Sequence, residues 1–156
     1  MTPRHYRIAA ALLWLAAMAV FAQTFAGCAT FKKVTQTSFA GLQQGYIEIE
    51  GIIVATNKTE QEKFRERSRT TATPSEQLML EAEQVAYEKA LATVTSVVDK
   101  IRAAIKGAEI LMPLLDLVMT PEQRTQLTQW ITKGMVALLE AKNLLPSLGV
   151  KLPGGL

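Results

Sequence analysis

The chain has 156 residues, with 17 lysines and arginines against 14 aspartates and glutamates, one histidine and one cysteine. A single cysteine excludes an intramolecular disulfide, and a net charge of +3 without a clustered basic face is no nucleic-acid footprint. With 49% apolar residues, there is ample material for one core and one domain.

The first seven residues carry Arg4, His5 and Arg7 and no acid. Ile8 to Ala22 then reads as a run of about 15 apolar residues, the length of the apolar core of a secretory signal. An ordinary membrane-crossing helix needs about 20. Gln23 and Thr24 lead into Phe25-Ala26-Gly27-Cys28, where small residues precede the lone cysteine.

This stretch resembles the lipobox of bacterial lipoprotein precursors, in which an apolar residue and two small residues precede the cysteine that becomes the lipidated first residue. Ala26 and Gly27 match the small positions and Cys28 the modified one, while Phe25 stands where leucine is usual. The resemblance covers only the N-terminal segment. It implies cleavage before Cys28 and a diacylglyceryl group plus an N-acyl chain, the only cofactor-like group expected. It also implies transfer to the periplasmic face of the outer membrane, because Ala29 and not aspartate follows the cysteine.

Two other readings of the same residues stand beside it. Free cysteine is commonly a buried small hydrophobe, and Ile8 to Phe31 carry no charge for about 24 positions, enough to span a bilayer if retained. Losing Arg4 and Arg7 with a signal leaves 15 bases against 14 acids, a balance near +1. Lys32 and Lys33 would then lie beside the lipid, where anionic head groups attract them. The expected organisation is residues 1–27 as signal peptide or uncleaved anchor, 28–35 as lipidated tether, 36–145 as helical bundle and 146–156 as irregular tail.

In the mature part, Phe39, Leu42, Tyr46, Ile49 and Ile53 recur at three and four residues, the seam of an amphipathic helix. Gly41, Gly45 and Gly51 oppose it at about 1 kcal/mol each. Tyr46 to Glu50 also alternates with period two and Gly51 to Val54 is β-branched, so a short hairpin at 46–54 remains open beside the helix. The GxxxG spacing of Gly41 and Gly45 is suited to a close helix crossing. Lys58 to Arg69 is a mixed charge run, read as a solvated helix end, with a contact patch for lipid or an acidic partner as the alternative.

Thr73-Pro74-Ser75-Glu76 is a helix start: Thr73 caps, Pro74 suits the first position and Glu76 completes a capping box. Tyr87, Leu91, Val94, Val98, Ile101, Ile105, Ala108 and Met112 then sustain a coiled-coil-like seam until Pro113. Residues 110–119 are unusually apolar. Ile110, Leu111, Leu114, Leu115, Leu117 and Val118 form either a buried elbow, which we favour, or a surface for membrane or a partner.

Thr120-Pro121-Glu122-Gln123 repeats the start signal, and Leu127, Ile131, Leu138, Ala141 and Leu145 carry the last seam. Gly134 lies on that seam and would admit a large neighbour, with Trp130 one turn earlier as a candidate filler. The tail contains Pro153, Gly154 and Gly155, yet is apolar enough to dock. The fold expected is all-α: a long helical hairpin or three-helix antiparallel bundle, with helices near 36–69, 74–112 and 121–145.

Little chemistry is on offer. His5, the sole imidazole, lies in the segment expected to be removed, so no Ser-His-Asp or Cys-His pair and no ordinary zinc site is expected. Glu48/Glu50 and Glu81/Glu83 are two apart and do not face each other on a helix. Asp116 is the one acid in an apolar setting, read as helix-terminal or exposed.

The expectation is therefore a non-enzymatic, lipid-anchored interaction or scaffold protein of the bacterial envelope, with an envelope protein or itself as partner and with no nucleic acid or small-molecule substrate. A lipobox followed by helices starting Thr-Pro-Glu also looks like small lipoproteins encoded by phages and prophages. That likeness would imply a role during infection, such as excluding other phages or helping DNA cross. The alternative class is a virion protein that keeps its apolar N-terminus, inserts into the host envelope and oligomerises into a conduit. A third is an accessory or inhibitor subunit that binds through the long helix.

Overall fold

The computed structural model describes residues 28–117 and 119–150. Three α-helices follow one another: α1 (Cys28–Thr70), α2 (Pro74–Leu111) and α3 (Pro121–Leu144). Short 3-10 turns, Met112–Asp116 and Leu145–Leu148, follow α2 and α3, and no strand occurs among the described residues. The fold is an all-α bundle built on a long antiparallel hairpin. The expected signal with Phe25, Ala26 and Gly27, together with Val118 and residues 151–156, lies outside the described residues.

α1 settles the open choice at 46–54 in favour of helix. Phe39, Leu42 and Ile49 are buried and Tyr46 and Ile53 half-buried, whereas Ile47 and Val54 face solvent. A period of three to four places all five of these groups on one seam, and a strand's alternation would have split them. Residues 28–35, expected as a tether, instead continue α1. Thr35 is buried there and Phe31 packs against the core, so this turn has contacts that a tether would lack.

Both capped starts form as the sequence dictates. The Glu76 amide donates to Thr73 Oγ1 at 3.3 Å and the Thr73 amide to Glu76 Oε2 at 3.1 Å. Gln123 and Thr120 make the same reciprocal pair at 3.2 and 2.9 Å. Each box satisfies amides that would otherwise be orphaned at a helix start. At the other end of α2, Pro113 tightens the chain into the 3-10 turn.

Val94, Val98, Ile101, Ile105 and Ala108 of α2 meet Leu127, Ile131, Leu138, Ala141 and Leu145 across the core, with Leu42 and Ile49 entering from α1. Burying each Leu or Ile contributes about 1.5–3 kcal/mol. The tail docks in part: Leu148 is buried and Val150 packs on the core, past a left-handed Gly149 with φ 79°.

Helix lengths decide the outline. At 1.5 Å per residue, α1 and α2 are about 64 and 57 Å long and α3 about 36 Å. The third helix therefore covers only one part of the hairpin. Buried residues of α1 end at Ile49, and those of α2 begin at Val94 apart from Leu80. Beyond that level the hairpin is a two-helix arm.

Candidate functional site

The pole where α1 begins is where the elbow lies. Lys32 of α1 forms an ion pair with Asp116, the last residue of the 3-10 turn after α2. The Arg124 guanidinium of α3 sits 5.7 Å from the Phe31 ring centroid, a cation–π distance. These contacts bring Asp116 and the start of α3 level with the first turns after Cys28. Asp116 is exposed and paired, in keeping with the helix-terminal reading.

The elbow divides. Leu111, Leu114 and Leu115 are half-buried against the core, and Met119 is buried. Ile110 is 75% exposed and Leu117 68% exposed, leaving two large apolar side chains in solvent on either side of the 3-10 turn. The segment is thus an elbow on its inner side and an apolar surface on its outer one.

The glycines differ in what they do. A Cβ on Gly45 would stand 2.6 Å from Leu138 Cδ2, and one on Gly134 would stand 2.5 Å from Leu42 Cδ2 and 3.1 Å from Ala104 Cβ. Both admit a leucine from the facing helix. Gly41 meets nothing within 4 Å, which corrects its place among the packing glycines: the GxxxG pair lies one turn apart, and only its second member faces α3. Trp130 does not fill the space at Gly134. It lies over Gly107 of α2, 2.5 Å from where a Cβ would be. Sequence reasoning missed Gly107, although a small residue three positions after Ala104, beside the seam, was the signal available.

Polar side chains stitch the hairpin. Arg102 donates to Tyr46 Oη at 3.0 Å and Glu50 at 3.1 Å, and bonds Asp99 at 2.7 Å. Nearer the tip, Arg67 pairs with Glu83, and that hydrogen bond holds the Glu83 carboxyl below its ordinary value. Between them Phe64 and Tyr87 meet at a ring separation of 5.9 Å. Burial, with Glu60 adding to it, pushes the Tyr87 hydroxyl above its ordinary value. Tyr87 Oη and Asn57 Oδ1 are buried without hydrogen-bond partners, close to the level where α3 has ended.

Of the carboxylate pairs, Glu50 and Glu83 are taken up in these ion pairs, and Glu48 and Glu81 are exposed on other faces. Among the described residues, no group of three or more His, Cys, Asp or Glu side chains is gathered as a metal site would need. No helix among them is long and apolar enough to cross a membrane. No protein-family model matches the chain, and neither a curated protein nor a solved structure shows a significant match.

Proposed function

We propose that this protein is a non-enzymatic helical scaffold of the bacterial cell envelope, anchored by lipid on Cys28 and presenting its hairpin to protein partners, further copies of itself included. The observation that carries the reading is the N-terminal sequence: a basic start, an apolar run from Ile8 to Ala22, and Ala26-Gly27 before the only cysteine. Several acyl chains hold where one holds only marginally, since each buried methylene contributes about 0.8 kcal/mol. Supporting it, the pole near Cys28 bears the exposed Leu117, and the adjoining Lys33 is exposed as a partner for anionic head groups. With that pole at a membrane, the hairpin tip at Thr70 stands about 60 Å away along α1. The generic likeness to phage and prophage lipoproteins supports placing this role in the envelope during infection.

The test is the intact mass of the membrane-extracted protein beside a Cys28→Ala variant. The expected mass is that of residues 28–156 plus acyl groups, absent from the variant. An unmodified chain starting at Met1 or Thr2 overturns the anchor and moves the inserted-conduit alternative to the front.

A further inference from the structure

α3 is seated on the hairpin along four lines of heptad spacing, and all four run on past its end. On α2, Ala104 and Val97 are buried, and Ala90, half-buried, and Glu83, exposed, follow at the same spacing. Beside them Gly107 lies under Trp130 and Lys100 reaches Glu140 of α3 at 3.7 Å. Thr93, Ala86 and Met79 continue that line in solvent, Met79 at 63% exposure. On α1, Leu42 and Ile49 are buried, Thr56 is half-buried and Lys63 exposed. In the fourth line Gly45 lies under Leu138, Ile52 is half-buried, and Thr59 and Glu66 are exposed. The seat thus passes from covered to bare where α3 stops.

The contact of Leu138 with Gly45 sets the level of α3 on α1. Leu144 is then about level with Gly51, and Leu148, after the 3-10 turn, about level with Thr56. From there to the turn at the tip the bare seat is about 21 Å long and two helices wide. Ala90, Ala86, Met79 and Thr93 form an uncharged strip along α2. Next to it Lys63 pairs with Glu60 at 2.6 Å, and Arg67 pairs with Glu83 across the hairpin.

We propose that the bare seat is covered by the bare seat of a second copy, the two hairpins pointing in opposite directions about a two-fold axis across the rods. The cross-hairpin pairs Phe64–Tyr87 and Arg67–Glu83 fix the levels of α1 and α2 in the arm. An axis at the level of Ala86 carries the tip of each copy to the end of the other's α3. It lays α2 on α2, with Ala86 against Ala86 and Met79 against Thr93 of the copy. It lays α1 on α1, with Lys63 beside Glu66 of the copy, an opposite-charge pair formed twice. Shape selects the direction. α3 stands on this face, so two copies pointing the same way would meet α3 on α3 and hold their arms apart. Reversed, each α3 falls beyond the other's tip, and the step left by its short length receives the other arm. The face is small, so a weak, concentration-dependent pair is expected. The two Cys28 poles then lie about 110 Å apart at opposite ends. Copies anchored as proposed above would therefore join two facing bilayers. The pairing itself does not depend on lipid, so the two readings fail separately.

The test uses the full chain in mild detergent with Cys28→Ala in every variant, which removes the lipid and the only native thiol. Under mild oxidation Ala86→Cys is expected to give a disulfide-linked dimer, with a yield that rises with protein concentration. Ala92→Cys, exposed on the outer side of α2, is expected to stay unlinked at the same concentrations. Glu66→Lys is expected to lower the linking through Ala86→Cys, and adding Lys63→Glu to restore it, with helical content unchanged. Absence of linking at Ala86→Cys, equal linking at Ala92→Cys, or indifference to Glu66→Lys would each overturn the proposal. So would linking that appears only once residues 151–156 are deleted, since the chain's own end would then be the occupant.

Discussion

The indole of Trp130 occupies the space that a side chain at position 107 of α2 would need: a Cβ there would stand 2.5 Å from both Cδ2 and Cε2 of the ring. These atoms belong to the body of a rigid bicycle, so they do not swing aside as a leucine methyl does. Gly107→Ala gains about 1 kcal/mol of helix propensity and incurs about 1–3 kcal/mol of overpacking. The net expectation is a lower midpoint in urea unfolding of the full chain. Gly41→Ala, with open space around it, is expected to raise the unfolding free energy by about 1 kcal/mol, and the midpoint with it.

Leu42 is wholly buried and its Cδ2 occupies the space at Gly134. Leu42→Ala is expected to cost about 2–5 kcal/mol. Adding Gly134→Ala returns volume to the emptied site, so the double variant is expected to be more stable than the two single losses predict. Coupling between touching residues is typically about 0.5–3 kcal/mol, and a double-mutant cycle by urea unfolding reads it.

The two capping boxes are chemically alike and sit in different surroundings. Thr73→Ala and Thr120→Ala each remove a cap worth about 1 kcal/mol. Loss at Thr120 is expected to lower the global unfolding free energy, since α3 packs on both other helices. Loss at Thr73 is expected to show mainly as faster amide exchange from residues 71–80, with a smaller effect on the global transition.

Glu83 titrates below its ordinary value of 4.5 because Arg67 hydrogen-bonds it. A depressed carboxyl stabilises the fold above the unfolded value, and that contribution is lost as pH falls through the folded one. Amide protection in the arm is therefore expected to be higher in the parent than in Glu83→Gln at pH 6. The difference is expected to vanish as the pH is lowered below 4.5. A gap that persists in acid would remove the ion pair as its cause.

Seams and starts were legible because each rests on local spacing. Thr73 and Thr120 cap as their Thr-Pro dipeptides indicated, and the positions chosen on α3 from Leu127 to Leu145 are all buried. What lay beside the seams was less visible. Ala104, Val97 and Ala137 are buried because a third helix widens each apolar stripe beyond a single row. The partner of each glycine depends on the axial offset between helices, which no single helix encodes. Trp130 was accordingly set against Gly134 on its own helix, when it reaches across to Gly107. The apolar run at 110–119 reads as a buried elbow or as a contact surface, yet 3-10 geometry turns Leu114 and Leu115 inward and leaves Leu117 outside, so it is partly each.

The unequal helix lengths also determine which peptide bonds the fold can do without. A break between Arg69 and Pro74 would separate α1 from the rest of the chain, but Phe39, Leu42 and Ile49 lie a long way down the rod and would keep the severed helix seated. The turn is thus a natural place for a protease to nick without releasing a fragment, or for an inserted domain to be carried. Held by core packing and cross-hairpin contacts alone, the molecule would still behave as one particle, its far end serving as a handle that can be cut, lengthened or loaded while the bundle below stays assembled.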